Sequence, residues 1–573
     1  MGDFLSHIGG GEHAGVLIQL LEPLCSSEES HVRNAAGSSV CSILRSISVG
    51  GTSSSTPTDG FQPPLDVILA YWALVRRLAA LEAEVFYPRY TAAICVPALY
   101  FALGQCPDGM AVPVVEGAAP LPVAAEPQEG DDPDKPADVT TAYESVAAAK
   151  LEVRAMFCTL QADEISIVRS ACCVNFIKMA RAVEPELVSS AAGDMLRVAL
   201  KDDCPPIRVL AVEQLWQYAA LLKEVGAGDF LAESVIPIIR ESVGDDSWRI
   251  RQAVAAKYAS FPASFAPATV AAELFPMAVV LLQDSEPDVR QAVLPQMLPF
   301  VAAVGADTFL KAFTPVAEAL CEDPIAQVRK LLASLAVGVA VQVGSAPGGD
   351  AVSELLAKLI GDEDPMIRIR ILQRLSTIAE AAPALCTRLA DALKEMFSDS
   401  NWRIRQEMVR GMPAVIRHLG VDFFEATFVA EYLGMLRDSV DEVRTAVADT
   451  LVAVVPLVGM ERAYEKIFQA VRPMSNADFL LRLSMLSALQ GLLRSDLPPG
   501  ESFQSECLAL VVAATNDRVP NVRMKAAQVL SDACNIVGPD ISRNHIRPVL
   551  NDLQGDADRD VAFFATEGMK LCT

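Results

Sequence analysis

The chain has 573 residues, a formal net charge of −25, 52% hydrophobic residues and only 6% aromatics. That apolar fraction excludes an intrinsically disordered chain and suffices for a large core. The acidic excess argues against a surface that tracks phosphates, which needs clustered Lys and Arg to displace counterions, so the expected partners are neutral or locally basic proteins and not nucleic acid.

The N-terminus, MGDFLSHIGG, lacks a basic region and an apolar secretory core, and no stretch reaches about 18 uninterrupted apolar residues. A cytoplasmic protein with no membrane partner is expected, a nuclear pool being left open. The cysteines agree: thirteen, an odd number, with no CxxC pair. Those in apolar stretches, such as Cys95, Cys158, Cys173 and Cys534, are expected to be buried reduced thiols. Gly2 opens a Met-Gly-x-x-x-Ser myristoylation pattern, although no polybasic patch follows as a second anchor.

In chain order, residues 1–47 hold a first helical unit around Arg33 in SSEESHVRNAA, and residues 48–64, SVGGTSSSTPTDGFQPP, read as a flexible insertion. Residues 65–106 hold a second unit around Arg89 in AEVFYPRYTAA, and residues 107–140 a disordered, acidic, Pro/Ala-rich insertion. Both insertions follow a second helix, which predicts that they leave from the edge opposite the turns inside the units. From residue 141 the chain keeps time. An Asp followed six positions later by an Arg recurs at Asp163/Arg169, Asp202/Arg208, Asp245/Arg251, Asp284/Arg290, Asp323/Arg329, Asp362/Arg368, Asp399/Arg405, Asp438/Arg444 and Asp517/Arg523. Successive arginines from Arg169 to Arg444 lie 37 to 43 residues apart, and Arg482 splits the last gap of 79 into 38 and 41. With GDADRDVAFFA around Asp556 closing the series, about thirteen units are expected.

Each unit reads as two antiparallel helices and a short turn. In FLAESVIPIIRESVGDDSWRIRQAVAAKYASF, apolar residues return every three or four positions on both sides of Gly244–Ser247. Pro205, Pro287, Pro365 and Pro520 stand three residues before the repeat Arg, where a helix tolerates a missing N–H in its first turn. The repeat Asp then sits just before the positive end of the second helix, and the Arg one turn inside it, near neighbouring carboxylates. The predicted fold is an all-α solenoid.

WRIRQ occurs twice, at Trp248 and Trp402, 154 residues or about four periods apart. The first position of the second helix is mostly Pro, Ser, Ala or Asp, but an aromatic in four units: Phe86, Trp248, Trp402 and Phe479. A large ring at a solvent edge beside Arg249 or Arg403 has the composition of a protein-docking hot spot. The turns are read as the binding surface, the alternative being that these rings fold back as caps over the adjacent turn.

These hairpins look like HEAT repeats. WRIRQ, GVDFFEATF at 420–428, NVRMKAAQVL at 521–530 and RVLAVEQL at 208–215 closely resemble the scaffolding A subunits of protein phosphatase 2A, almost end to end. The resemblance implies a horseshoe-like solenoid whose turns hold a phosphatase catalytic subunit on the C-terminal repeats, 381–573, and a regulatory B-type subunit on the repeats before them, the central ones at 141–380 included. Carried over by position, the catalytic-subunit contacts are Trp402, Arg403, Phe479, Arg482 and Val519; the regulatory-subunit contacts are Glu28, Glu29, Phe86, Arg169, Trp248 and Arg249. The first unit resembles the family's third repeat, which implies that two N-terminal repeats are missing. Asp441 stands where the family tends to place an aromatic, Phe479 replaces a tyrosine, and Ala562 replaces a basic residue.

No constellation for catalysis is visible. His7, His13, His31, His418 and His545 form no HExxH, no metal-ligand spacing with cysteine and no triad. Gly9–Gly11 follows no strand and opens no phosphate loop. A non-catalytic scaffold without cofactor, metal or small-molecule substrate is expected; a karyopherin-like HEAT-repeat transport receptor, also an acidic helical solenoid, is the alternative.

Overall fold

The computed structural model describes residues 5, 7, 10–49, 63–80, 85–110, 112, 145–344, 349–495 and 502–572. Gly2 and most of the two expected insertions lie outside them. Among the described residues every regular element is helical, and the helices pair into thirteen hairpins. The chain divides into two compact units, Met1–Gln296 and Met297–Thr573.

In the first unit the second helices of successive hairpins pack on one another in chain order: Ser30–Val49, Tyr87–Gly104, Ser166–Ala182, Pro205–Glu224, Trp248–Ala256 and Pro287–Val293. The second unit repeats the arrangement from Ala326–Val343 through Pro365–Leu372 with Leu375–Ala381, Trp402–Leu419, Asp441–Val458, Phe479–Leu493 and Pro520–Ala533 to Arg559–Met569. Each unit is thus a two-layered α-solenoid, with the second helices as one layer and the first helices as the other. A single hairpin could not bury its own apolar face, and stacking supplies the missing side. Gly420 and Gly459, at φ 94° and 84°, end two of the second helices and turn the chain into the next repeat, a backbone conformation that side chains disfavour.

The four prolines at the turn begin their helices as expected: Pro205, Pro287, Pro365 and Pro520 are each the first helical residue. The first helices are less regular than the sequence pattern suggests. π-helical turns at Leu231–Val235, Val270–Leu274 and Ser542–Ile546 immediately precede segments with Pro237, Pro276 and Pro548 near their start, where the missing N–H breaks the α ladder. Buried tyrosines tie the layers at such bends, Tyr258 Oη donating to the Leu274 carbonyl at 3.0 Å and Tyr218 Oη to that of Val188, the first residue of a further π-helical turn at Val188–Ala192, at 2.9 Å.

One described helix, Ala326–Val343, is long and apolar enough to cross a membrane. In the fold it belongs to the second-helix layer, and its Arg329 is bound to Asp362. Two cysteine expectations are corrected. Cys534 is not a reduced thiol but is disulfide-bonded to Cys572, the Cα atoms 5.4 Å apart. Their separation of 38 residues is one period, so stacking brings equivalent ends of consecutive repeats together. Cys158 is exposed and not buried. It follows the buried Met156 and Phe157, and a further helical step of about 100° carries it off the core face.

Candidate docking ridge

The turns are built around a ladder of arginines. Arg405 shows the pattern: Nη1 donates to the carbonyl of Asp399 in its own turn at 2.6 Å, while Nε and Nη2 grip both carboxylate oxygens of Asp438 in the next repeat at 2.6 and 2.7 Å. Asp438 Oδ1 also accepts the N–H of Val440 at 2.8 Å, closing the turn ahead of the helix. Arg251 and Asp284 repeat this geometry at 2.6 and 2.8 Å. Further rungs join Arg89 to Asp163, Arg169 to Asp202, Arg329 to Asp362, Arg368 to Asp399, Arg482 to Asp517 and Arg523 to Asp556. Such two-pronged, charge-assisted pairs fix direction as well as distance. Burial works against the charged forms of Asp284 and Asp438, yet the facing arginine and the backbone N–H hold both carboxyls below the ordinary value.

The ladder does for the turns what the sequence pattern could only suggest. The repeat Arg does find a carboxylate, but that of the following repeat, 31 to 35 residues on from Arg169 to the last rung. Arg89 reaches its Asp163 across 74 residues, because the second insertion intervenes. Beyond the first repeat, two positions depart. Arg208 shows only contacts within its own turn among the described residues, at the one place where the period lengthens to 43. Arg444 faces a repeat with Asn476 in place of the Asp, and turns back to Asp441 at 2.7 Å.

With the arginines directed along the stack, the outer half of each turn is left to other side chains. Trp248 and Trp402 are the first residues of their helices and are half-buried. The guanidinium of Arg249 lies 4.6 Å from the Trp248 ring centroid, and that of Arg403 lies 4.5 Å from Trp402; both arginines are exposed. The indoles are therefore neither sealed in the interior nor bare, but each carries its own neighbouring cation on its face. Phe479 is 44% exposed beside Leu480 at 47%, an apolar pair at the solvent edge. Val519 is the half-buried residue capping the helix Pro520–Ala533. Trp402, Arg403, Phe479, Leu480 and Val519 lie in the second unit, Trp248 and Arg249 in the first.

In the first unit, Glu28 and Glu29 are exposed in the first turn, where the Glu28 carbonyl accepts Arg33 Nη1 at 3.0 Å. Phe86 is half-buried, its ring 4.5 Å from that of Tyr87. Arg169 and Arg482 differ from the rest of the set. Their side chains are only 14% and 12% exposed and are held by Asp202 and Asp517 as ladder rungs. Sequence reasoning missed Leu480, and it missed that Arg33 stacks on Tyr87 and Tyr90, at 4.9 and 5.1 Å, where later repeats supply an aspartate. The spelling FYPRY in the second unit, with no Asp six residues before its Arg, was the available signal.

No group of three or more His, Cys, Asp or Glu able to hold a metal occurs among the described residues. The ridge offers exposed rings, aliphatic side chains and cations, the equipment of a protein-docking surface. The class defined by fold and ridge is an α-solenoid of HEAT type. No protein-family model and no curated protein matches the chain. Among solved structures, Kap121p is similar over 98% of this chain and 53% of its own, with 13% identity and a TM-score of 0.59. Kap121p bound to Nup53p matches with a TM-score of 0.59 and Kap121p bound to RanGTP with 0.57, each at 12% identity and the same coverage. The chain spans about half the length of these karyopherin structures, and at this identity the likeness is one of fold.

Proposed function

We propose that this chain is a non-catalytic scaffold acting in the cytosol, with the turn ridge as its docking surface for protein partners. The observation that carries the reading is the division of labour in the turns: the ladder arginines serve the stack, while Trp248–Arg249 and Trp402–Arg403 stand outside it with no internal task that requires an indole. The sequence resemblance supports a finer assignment, to a protein phosphatase 2A-type holoenzyme. In it Trp402, Arg403, Phe479 and Val519 touch the catalytic subunit, and Glu28, Glu29, Phe86, Trp248 and Arg249 a regulatory one. Arg169 and Arg482 then act by holding the turns in place. Holding both partners on one chain raises their effective concentration for a shared substrate.

The fold likeness supports the second reading, a transport receptor, since the solved structures named above are karyopherins, one of them bound to RanGTP. Affinity capture of the full chain and of Trp248→Ala and Trp402→Ala, read by mass spectrometry, separates the readings. Loss of a phosphatase catalytic subunit from the Trp402 variant and of a different subunit from the Trp248 variant is the expected result. Each truncation should weaken its partner by about 2 kcal/mol, roughly 30-fold. Recovery of a small GTPase with basic cargo and no phosphatase would establish the transport reading. Partner lists unchanged by either substitution would remove the ridge as the docking surface.

A further inference from the structure

The second helices of the first two repeats approach closely. A Cβ added to Gly37 would meet Cγ2 of Thr91 at 3.1 Å and Cγ2 of Ile94 at 3.7 Å. One turn further along, Cys41 of Ser30–Val49 meets Cys95 of Tyr87–Gly104. The Cys41 thiol donates to the Ile94 carbonyl at 3.4 Å and the Cys95 thiol donates to the Gly37 carbonyl at 3.8 Å. Each sulfur thus sits against the backbone of the opposite helix, beside the residue that carries the other thiol.

The two cysteines differ in access. Cys95 is fully buried, whereas Cys41 opens into a cavity of about 700 Å³. Arg45, Lys178 and Arg181 line that cavity with Ser38, Ser42 and Phe101, and among the described residues no carboxylate lines it, although Arg181 also pairs with Glu224 at 3.1 Å. Neither the docking ridge nor the ladder uses this site.

We propose that Cys41 and Cys95 are a peroxide-sensitive thiol pair, in which a hydroperoxide oxidises Cys41 and Cys95 then closes a disulfide between the first and second repeats. In the first step the Cys41 thiolate attacks one peroxide oxygen and the O–O bond breaks. The departing hydroxide takes a proton to become water, leaving Cys41 as the sulfenic acid. In the second, Cys95 sulfur attacks Cys41 sulfur, its proton joins the leaving hydroxide, and a second water departs. Two thiols and one hydrogen peroxide give one disulfide and two waters. The asymmetry of the pair fits these roles. The neighbouring Cys95 thiol holds the Cys41 thiol below its ordinary value despite burial, with Arg45 and Lys178 adding to the effect. The same contact and burial push Cys95 up, so it stays protonated until it resolves the sulfenic acid.

The test is a peroxide titration of the reduced full chain, quenched with a thiol-blocking reagent and mapped by peptide mass spectrometry. A Cys41–Cys95 linked peptide should form at roughly ten-fold lower peroxide than oxidation of the exposed Cys158, and dithiothreitol should reverse it. In Cys95→Ser the link is lost and Cys41 is captured by dimedone as its sulfenic acid; in Cys41→Ser neither product forms at the pair. Oxidation of Cys158 while Cys41 and Cys95 stay reduced would overturn the proposal, as would stable sulfenic acid on Cys41 of the native chain without the link.

Discussion

The turn that carries Trp402 and the turn that carries Phe479 lie two repeats apart in the same unit and are assembled differently. At the first, Asp399 receives Arg368 from the preceding repeat and accepts the Asn401 N–H at 2.7 Å, while Arg405 passes on to Asp438. At the second, Asn476 offers no carboxylate, the incoming Arg444 folds back on Asp441, and the Arg444 Nε is left buried without a hydrogen bond. The stack continues regardless. Arg444 still binds the Asp438 carbonyl at 2.7 Å, and the helices Asp441–Val458 and Phe479–Leu493 meet so tightly that a methyl on Gly491 would collide with the Ala448 backbone. Closing the turn and joining the repeats are therefore separable tasks, and helix packing can carry the second where the ladder lapses.

The sharpest way to break this comparison is to delete one carboxylate from each arrangement. Asp438→Ala strands Arg405 in a site where the pair is only 12% and 5% exposed, and should cost about 3 to 5 kcal/mol. Asp441→Ala removes a partner that is 79% exposed and should cost less than about 1 kcal/mol. Urea unfolding of the full chain, with amide exchange in the 438–444 turn as a local probe, measures both. Equal losses would mean that the inter-repeat rung has no special standing.

Acid should erase the difference. The Asp438 carboxyl, desolvated but gripped by Arg405, lies below its ordinary value, so its contribution is complete above about pH 4 and is lost as pH falls through the folded value. The stability gap between the native chain and Asp438→Asn should be constant near neutrality and close below about pH 4. A gap that persists to pH 2 would assign it to packing and not to charge. The smallest expected effect comes from repair: Asn476→Asp restores a carboxylate facing Arg444 and should add about 1 kcal/mol. No gain, with Arg444 still on Asp441, would show the self-contained turn to be as good as the rung.

Much of this fold was legible in the sequence. The Asp/Arg spacing marked the repeats, the prolines marked the helix starts, and the apolar periodicity marked the faces, because each of these is a local rule with a local cause. The site was legible in part. The WRIRQ clusters pointed to the turns, but nothing in their spelling showed that Arg249 and Arg403 lie over their own indoles while Arg169 and Arg482 are spent on the neighbouring repeat. A guanidinium reaches about as far in several directions, and which acceptor it meets depends on the repeat stacked beside it.

The chain alone determined that it would make helical hairpins at a regular period and where their second helices would begin, since hydrogen bonding and capping inside a helix involve residues a few positions apart. Only the stacked structure decided which groups meet between repeats: Arg89 with Asp163 across 74 residues, Cys534 with Cys572 across 38, and Cys41 with Cys95 beside a lined cavity. Those contacts follow from how closely one helix layer settles on the next, which is set by side-chain volume at the crossings and has no expression in any short stretch of sequence.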